Sequence, residues 1–435
     1  MTARRVAACA IAGALAAAPV RAEPPAAAAA EPAAPALPPA VPAAVPAAVD
    51  DELPQFAVAG PAGFGLVSAD RRSMLATHWL LETDFQSFLD RHPPAPRDSF
   101  VLRFAGLRLD AIVQRDFRAQ LFVNLADNRV TVLEGWIEAR LARWARLRAG
   151  AFQFPITQER LTPGTALPFV STSLAAMLLP ARDTGVQLLG ELGALAYNLA
   201  IVNGASAGGA ASSDGDAAKD VVARLFVRPF TAADIPVLAR LGVGIGASTG
   251  THTGTALNPQ LPVLASYGGQ VYFGYRPMIA ASGRVDRLAP HLTWSHGPIA
   301  AYADAVWTRE HVAGTTVTAH AESAIATVVL TGEDAEPLAF VAPARPFDPA
   351  AGQLGAIALV LGAGAIDLAG AAFPALADPT TAMRGIRVLG AGVNWYLSRG
   401  VALLTSYGHQ AFRAAPGGSR RGDEDTLIVR FELVL

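Results

Sequence analysis

Apolar and polar side chains alternate with a period of two in many separate stretches of this chain. The clearest cases are residues 116–125, 133–141, 221–228, 237–248 and 427–435. Successive side chains of a β-strand point to opposite sides, so each stretch predicts a strand with one apolar face. The apolar faces are mainly aliphatic, whereas the opposite faces carry arginines, acids and glycines. A soluble sandwich of such strands would lack a packed interior, because its second face offers nothing to pack.

Followed along the whole chain, the same pattern predicts sixteen strands. They cover residues 72–82, 99–112, 115–125, 130–141, 144–153, 184–191, 194–202, 219–229, 236–249, 286–296, 298–309, 318–332, 352–364, 386–397, 399–409 and 425–435. An even number of antiparallel strands can close into a barrel that turns its apolar face to lipid. No run of about 18 uncharged apolar residues follows the N-terminus, so no transmembrane helix is expected. The sequence therefore predicts an all-β transmembrane barrel, with a β-bulge near Gly106, where the alternation breaks.

The N-terminal region predicts export across a membrane. Residues 1–22 have the form of a secretory signal peptide, with Arg4 and Arg5 before an apolar run. Residues 23–58 are rich in alanine and proline and predict an extended periplasmic linker. Residues 59–435 form the predicted barrel domain. The single cysteine, Cys9, lies in the predicted signal, so the mature chain can form no disulfide.

One long segment has no strand pattern and yet is apolar. The strand that ends near Phe154 is followed by Pro155, which cannot donate a backbone hydrogen bond. Residues 155–183 are too apolar for a disordered linker, and a long apolar loop must pack against something. We therefore predict that this segment folds into the lumen and narrows it. The other long connections predicted on the outer side are 83–98, 203–218 and 250–285, whereas 333–351 falls on the side where turns are usually short.

The candidate functional residues are arginines on the predicted lumen face. Strand parity gives Arg118, Arg140, Arg146, Arg148, Arg224, Arg228, Arg240, Arg287 and Arg430, and the inward segment adds Arg160 and Arg182. Rings of arginine select anions in pores, and the guanidinium fork matches the oxygens of phosphate. The net charge of −2 gives no general support to anion binding, so any preference must be local. The alternative is that these arginines pair with lumen acids such as Glu134 and Glu138 and only stiffen the wall.

A series of short motifs resembles the phosphate-selective porin O and P family. The motifs are QERLT at 158–162, ARDTGV at 181–186, Asn203-Gly204, KDVVARLFVRPF at 219–230, LTGEDAEP at 330–337, PARPFDPAAG at 343–352 and GVNWYL at 392–397. The resemblance implies a sixteen-stranded barrel in the outer membrane of a Gram-negative bacterium, assembled as a homotrimer in contact with lipid. It also implies passage of small anions, phosphate or phosphate-containing solutes, through a constricted channel. A general, weakly selective porin is the alternative, because that family uses lysines near its constriction and Lys219 is the only lysine here.

No motif for an enzyme, a cofactor, a metal or a nucleic-acid partner occurs in the sequence. His291 and His296 are five residues apart, so on one strand they face opposite sides. An enzymatic barrel would require a Ser/His or Asp/His pair on the lumen face, and the sequence offers no partner for His291. A non-conducting structural barrel is the third alternative. The prediction is a porin that works without catalysis and without a cofactor.

Overall fold

The computed structural model describes residues 56–60, 63–89, 98–126, 129–209 and 216–435. The predicted signal peptide and nearly all of the predicted linker lie outside the described residues. The strands of the described part are β1 Phe56–Gly60, β2 Gly63–Val67, β3 Met74–Phe88, β4 Ser99–Val113, β5 Phe117–Asn124, β6 Thr131–Ala142, β7 Ala145–Gln153, β8 Arg182–Leu192, β9 Leu195–Val202, β10 Asp220–Val227, β11 Gly242–Thr253, β12 Leu264–Ala265, β13 Val271–Phe273, β14 Ala281–His296, β15 Ile299–Val312, β16 Thr315–Val329, β17 Ala356–Leu368, β18 Met383–Ser398, β19 Val401–Ala414 and β20 Glu424–Val434. One short helix, α1 (Leu174–Met177), lies between β7 and β8.

Sixteen of these strands close into one antiparallel barrel, which confirms the predicted fold. They are β3 to β11 and β14 to β20, each paired with its neighbour in the chain. The barrel closes between its first and last strands, from the Thr426–Phe88 pair to the Val434–Leu80 pair. Closure leaves no free edge along the wall, so the backbone hydrogen bonds are satisfied without water. No helix among the described residues is long and apolar enough to cross a membrane.

Each predicted strand corresponds to an observed one, and the differences have local causes. The prediction of a strand from residue 236 is wrong, because β11 begins at Gly242. Residues 235–241 form consecutive turns instead, with hydrogen bonds such as Leu241 N to Leu238 O (2.9 Å). Their apolar alternation is therefore not a strand signal. The predicted loop 83–98 is also too long, because β3 continues to Phe88.

Two features at the start of the barrel refine the predicted boundaries. The hairpin of β1 and β2 was not predicted, and β1 begins at Phe56, before the predicted end of the linker. The hairpin pairs through β2 with Met74–Thr77 at the start of β3. The predicted bulge is present, since the register of β4 against β3 shifts between Phe104 and Leu102, close to Gly106. Its extra residue explains why the alternation of β4 breaks there.

The two ends of the barrel differ in their connections. One end, called the long-loop end here, carries the connections 154–181, 203–219, 254–280 and 369–382. The opposite, short-turn end has two-residue turns at 193–194, 297–298 and 399–400, but also the connections 228–241 and 330–355. Segment 333–351 therefore lies at the short-turn end, as the strand order predicted.

The outer face of the barrel is largely aliphatic and exposed. Ile137, Leu147, Leu199 and Ile201 are examples from β6, β7 and β9. The inner face of β10 to β20 is instead buried beneath the long connections. Phe152, Ile156, Leu174, Tyr272 and Phe273 belong to one apolar cluster inside the barrel. Burial of such a cluster favours the inward position of the loops, and the aliphatic outer belt is the surface that a membrane barrel presents to lipid.

Candidate permeation pathway

The connection between β7 and β8 crosses the lumen, which confirms the predicted inward loop. Its backbone reaches the far wall at several points. Ala175 N donates to Ser323 Oγ of β16 (3.0 Å), and Val170 N donates to Ser406 Oγ of β19 (3.3 Å). Asn394 Nδ2 of β18 donates to Pro168 O (2.8 Å). Residues 154–181, called the constriction loop below, are thus tied across the barrel by hydrogen bonds.

Two glycines of the lumen wall let the constriction loop approach closely. A Cβ at Gly246 of β11 would lie 2.0 Å from Ile156 O, and a Cβ at Gly362 of β17 would lie 2.6 Å from the Phe169 ring. Real Cβ atoms do not come that close to other heavy atoms. Lumen-facing glycines, which the sequence pattern could not assign a role, therefore form part of the seat of the loop.

Arg160 is half-buried and braces the constriction loop from within. Its guanidinium donates to Ala176 O and to Leu179 O, at 3.0 Å for the second. The adjacent Glu159 accepts a hydrogen bond from Ser173 N (2.7 Å). Burial lowers the pKa of Arg160 to about 10, so the side chain remains a cation at neutral pH. The prediction placed it correctly in the loop but missed that the loop folds over it.

Arg224 also holds the loop and, unlike Arg160, is buried. It lies on β10, and its Nη2 donates to Gln158 Oε1 of the constriction loop (2.7 Å). Its Nε donates to His291 Nε2 on β14 (3.3 Å). The predicted inward direction of Arg224 is confirmed, but its guanidinium donates these hydrogen bonds to other side chains of the protein and not to a solute. The alternation of the sequence shows which side of the barrel wall a side chain points to, but it does not show which other residues cover that side chain.

Two further predicted lumen arginines form buried ion pairs within the wall. Arg287 Nη1 lies 2.9 Å from Asp220 Oδ2, with both side chains 0% exposed. Arg430 pairs with Asp84 (2.7 Å) and with Glu82 (2.9 Å). Neither guanidinium reaches open lumen. They connect β10 to β14 and β20 to β3, the second pair at the closure of the barrel.

Arg228 and Arg240 lie at the short-turn end. Both lie in the connection 228–241, Arg228 directly after β10, and neither is on a strand as predicted. Arg240 pairs with Asp334 (3.3 Å) and Glu336 (3.4 Å) of the connection 330–355. Both arginines border a cavity of about 190 Å³ that also touches Gln158 of the constriction loop. This position makes them part of the short-turn mouth and not of the constriction.

The remaining predicted arginines are brought together on one wall. Arg148 Nη2 lies 2.7 Å from Glu138 Oε2, and Arg146 Nη1 lies 3.4 Å from Glu138 Oε1. Arg182 Nε lies 3.3 Å from Glu134 Oε1. The sequence left open whether such arginines would only pair with Glu134 and Glu138. These three arginines do pair with those acids, at the position where the anion-contacting arginines were predicted.

Two more arginines of this set lie nearer the short-turn end. Arg140 pairs with Asp116 at 2.6 Å on the exposed rim. Arg118 is exposed and stands opposite Glu138 in the register of β5 and β6. Arg108 of β4, which the sequence analysis did not single out, joins them and pairs with Asp110 at 2.9 Å.

The wall of β4 to β7 therefore carries a small excess of positive charge. Five arginines of β4 to β7 stand against the four acids Asp110, Asp116, Glu134 and Glu138. Arg182, the first residue of β8, adds a sixth cation, and Asp183 and Glu191 on the lumen side of β8 add two acids. The six arginines form one continuous strip across neighbouring strands. The strip is called the arginine wall below, and its members are Arg108, Arg118, Arg140, Arg146, Arg148 and Arg182.

Water reaches the inner face of this wall more than that of β14 and β15. Arg108, Gln120, Phe122, Trp136 and Arg148 are half-buried, whereas the inward side chains of β14 and β15 are buried. The accessible lumen thus runs past β4 to β7. A narrow aqueous space with low-dielectric walls concentrates the field of the charges that line it.

An Asp/His pair does exist on the lumen face, although the sequence analysis found none. His252 Nε2 lies 3.1 Å from Asp220 Oδ1, with side chains 3% and 0% exposed. The other Asp220 oxygen is held by Arg287. A substrate has no access to a pair that is buried in this way, so the geometry supports a structural role. Among the described residues, no group of three or more His, Cys, Asp or Glu side chains is placed to hold a metal. His291 and His296 face opposite sides, as predicted.

Comparisons with known proteins support the fold. No protein-family profile and no curated protein matches the sequence. Among solved structures, the outer membrane channel DcaP of Acinetobacter baumannii has a TM-score of 0.53 at 11% identity, covering 86% of this chain and 100% of that one. A loop-deletion variant of OmpT, an outer membrane protein of Vibrio cholerae, has a TM-score of 0.52 at 10% identity, covering 84% and 100%. An anion-selective porin from Comamonas acidovorans has a TM-score of 0.50 at 9% identity, covering 83% and 100%.

These similarities are structural, and the specific family suggested by the short motifs stays a prediction. The neighbours are outer-membrane proteins, and several are porins or channels. The closed barrel, its aliphatic outer belt and its inward loop all agree with that architecture. The chain is a sixteen-stranded β-barrel of the Gram-negative outer membrane, with a porin-type fold.

Proposed function

We propose that this protein is a porin through which small anions diffuse along the arginine wall. The observation that carries the proposal is a cluster of arginines on a part of the lumen wall that water reaches, where those of β4 to β7 outnumber the acids by five to four. An anion near these guanidinium groups exchanges part of its hydration for charge-assisted hydrogen bonds. Phosphate, with oxygens that fit the guanidinium fork, is the proposed solute.

The acids of the wall fit transport better than tight binding. Glu138 holds both Arg146 and Arg148, and Glu134 holds Arg182. A conducting site must attract an ion and also release it. Partial neutralisation by acids lowers the residence time of an anion at each arginine. Movement would then be passive, without catalysis or a cofactor.

A general porin of weak selectivity is the second candidate. The observation that favours it is that Arg146, Arg148 and Arg182 each form an ion pair with an acid, so much of their charge is compensated. We further propose that the protein assembles as a homotrimer. A trimeric form of OmpT of Vibrio cholerae, among its structural neighbours, supports this.

Single-channel recording in KCl with added phosphate separates the two candidates. A selective pore is blocked by phosphate, and the double variant Arg146→Ala, Arg148→Ala should lose most of the block. Arg143→Ala, in the turn between β6 and β7, is the matched control and should behave as wild type. Conductance without phosphate block would support the general porin. Absence of conductance would contradict both.

A further inference from the structure

One part of the outer wall is concave, unlike the surface expected of a barrel in lipid. A depression of about 1010 Å³ extends over β11 and β14 to β19. A second depression of about 390 Å³ adjoins it toward the long-loop end of β14 to β18. The first is lined mostly by side chains that point away from the lumen. This region is called the concave wall below.

Small side chains form the floor of the concave wall. Ala303, Ala305, Ala324, Ala363 and Ala365 occupy outward positions in β15, β16 and β17. Elsewhere on the outer face, large residues such as Ile137 and Leu199 hold the equivalent positions. Small residues let another backbone or side chain approach closely. The floor is thus shaped to receive protein.

The concave wall also carries two exposed charges without a partner in the described residues. Glu322 is the eighth of the fifteen residues of β16, so it lies near mid-height on the outer face. Arg387 is on β18 and also points outward. Asp367 and His409, which line the same depression, are paired with Arg413 (2.6 Å) and Asp425 (2.8 Å). An outward charge at membrane depth is strongly disfavoured unless it is paired.

The two unpaired charges have opposite signs and a fixed separation. Glu322 and Arg387 both stand beside Ala365, one on each neighbouring strand. Strands are about 4.8 Å apart, which places the two positions roughly 10 Å from each other. Among the described residues, no ion pair joins the two side chains. The arrangement suits contact with a second copy of the chain. When the two concave walls meet, the acid of one copy faces the base of the other.

We propose that the concave wall is the contact surface between copies of this chain, with Glu322 of one copy paired to Arg387 of the partner subunit. In a two-fold dimer this contact is made twice, from Glu322 to Arg387 and from Arg387 to Glu322, whereas in a closed three-fold ring it is made once at each of the three interfaces. The inference rests on the proposed homo-oligomer and not on the proposed anion selectivity. Lipid acyl chains could fill the depression, but they would leave Glu322 uncompensated.

Charge reversal tests the pairing directly. The variants are Glu322→Arg, Arg387→Glu and the double exchange, purified as full-length chains in detergent. The number of copies per particle is measured by size-exclusion chromatography with light scattering, and barrel folding by heat-dependent mobility in gels. Each single reversal should lower the oligomeric fraction roughly tenfold or more, because like charges then face each other. The double exchange should restore it. Arg143→Glu, at the turn between β6 and β7, should leave it unchanged.

The outcomes that overturn the inference are distinct from failure of the proposed function. A monomeric wild-type protein, or copurified lipid on the concave wall, would overturn it. So would oligomers that resist both single reversals, or single reversals that the double exchange does not rescue. Conductance of the same samples is recorded in planar bilayers. An intact, rescued oligomer that conducts nothing would contradict the porin and leave the interface standing.

Discussion

The guanidinium of Arg148 lies 4.0 Å above the centre of the Trp136 ring while its Nη2 holds Glu138 at 2.7 Å. Trp136 also packs against the apolar cluster inside the barrel. The ring therefore fixes the arginine on one side, and the carboxylate orients it on another. A stacked and paired guanidinium keeps one geometry while its outward N–H groups remain available. This arrangement holds Arg148 from two sides.

Removal of this side chain should reduce anion preference. Arg148→Ala deletes one cation and leaves Glu138 with Arg146 alone. A unit charge about 4 Å away contributes roughly 1 kcal/mol in water, so the anion-to-cation permeability ratio should fall about fivefold. Zero-current potentials across a salt gradient measure this ratio. Arg148→Lys retains the charge and should lose less. An unchanged ratio in Arg148→Ala would show that solutes bypass this wall.

The seat of the constriction loop should be sensitive to a single methyl group. In Gly246→Ala, the new Cβ would meet Ile156 O, so the loop or β11 must shift. Overpacking of this kind costs about 1–3 kcal/mol. We expect a higher and noisier conductance together with a lower unfolding temperature. Gly164→Ala is the matched control, since nothing lies within 4 Å of its added Cβ. Equal behaviour of the two variants would contradict the proposed seat.

A rise in pH above the ordinary range of a glutamate should loosen the constriction loop. Burial raises the pKa of Glu159 above its ordinary value, although hydrogen bonds from Ser173 and the charge of Arg160 oppose this. An acid with a raised folded-state pKa stabilises the folded loop only while it is protonated. This stabilisation is full below the ordinary pKa and is lost as the pH rises through the folded-state value. Channel noise should therefore grow with pH, and Glu159→Gln should abolish that dependence. If channel noise in Glu159→Gln rose with pH as it does in the wild type, the Glu159 carboxyl would not be the cause of the pH dependence.

Replacement of a buried aspartate and of an exposed one should lower the free energy of unfolding by very different amounts. Asp220→Asn leaves Arg287 buried without its counter-charge, and breaking a buried pair costs about 3–5 kcal/mol. Asp116→Asn breaks an exposed pair with Arg140, which is worth roughly 0–1 kcal/mol. Denaturant unfolding in detergent, followed by tryptophan fluorescence, measures both. Comparable losses would mean that the Asp220 pair is not insulated from water.

The barrel could be predicted from sequence because its outer face follows a simple rule. Period-two alternation located β5, β6 and β20 directly, since lipid requires an apolar residue at every second position. The same rule misled at residues 237–241, where turn hydrogen bonds replace a strand. The β1–β2 hairpin escaped because five-residue strands leave too little pattern.

The candidate site could be predicted only in part. Parity placed Arg146 and Arg148 on the lumen face, and the acids of β6 were recognised as their partners. Parity could not distinguish these accessible arginines from Arg224 and Arg287, which also point to the lumen but are buried beneath loops. Which wall stays open depends on where the constriction loop lands. That depends on contacts distant in sequence, such as Ala175 with Ser323.

The zero-current potential of the wild-type protein in a planar bilayer, across a tenfold KCl gradient, tests the central claim most directly. If the arginine wall lines the path of ions, the potential should have the sign that marks chloride as the more permeant ion. The preference should shrink in the Arg146→Ala, Arg148→Ala double variant. A potential near zero would leave only a general porin. A potential of the opposite sign, marking potassium as the more permeant ion, would contradict the account.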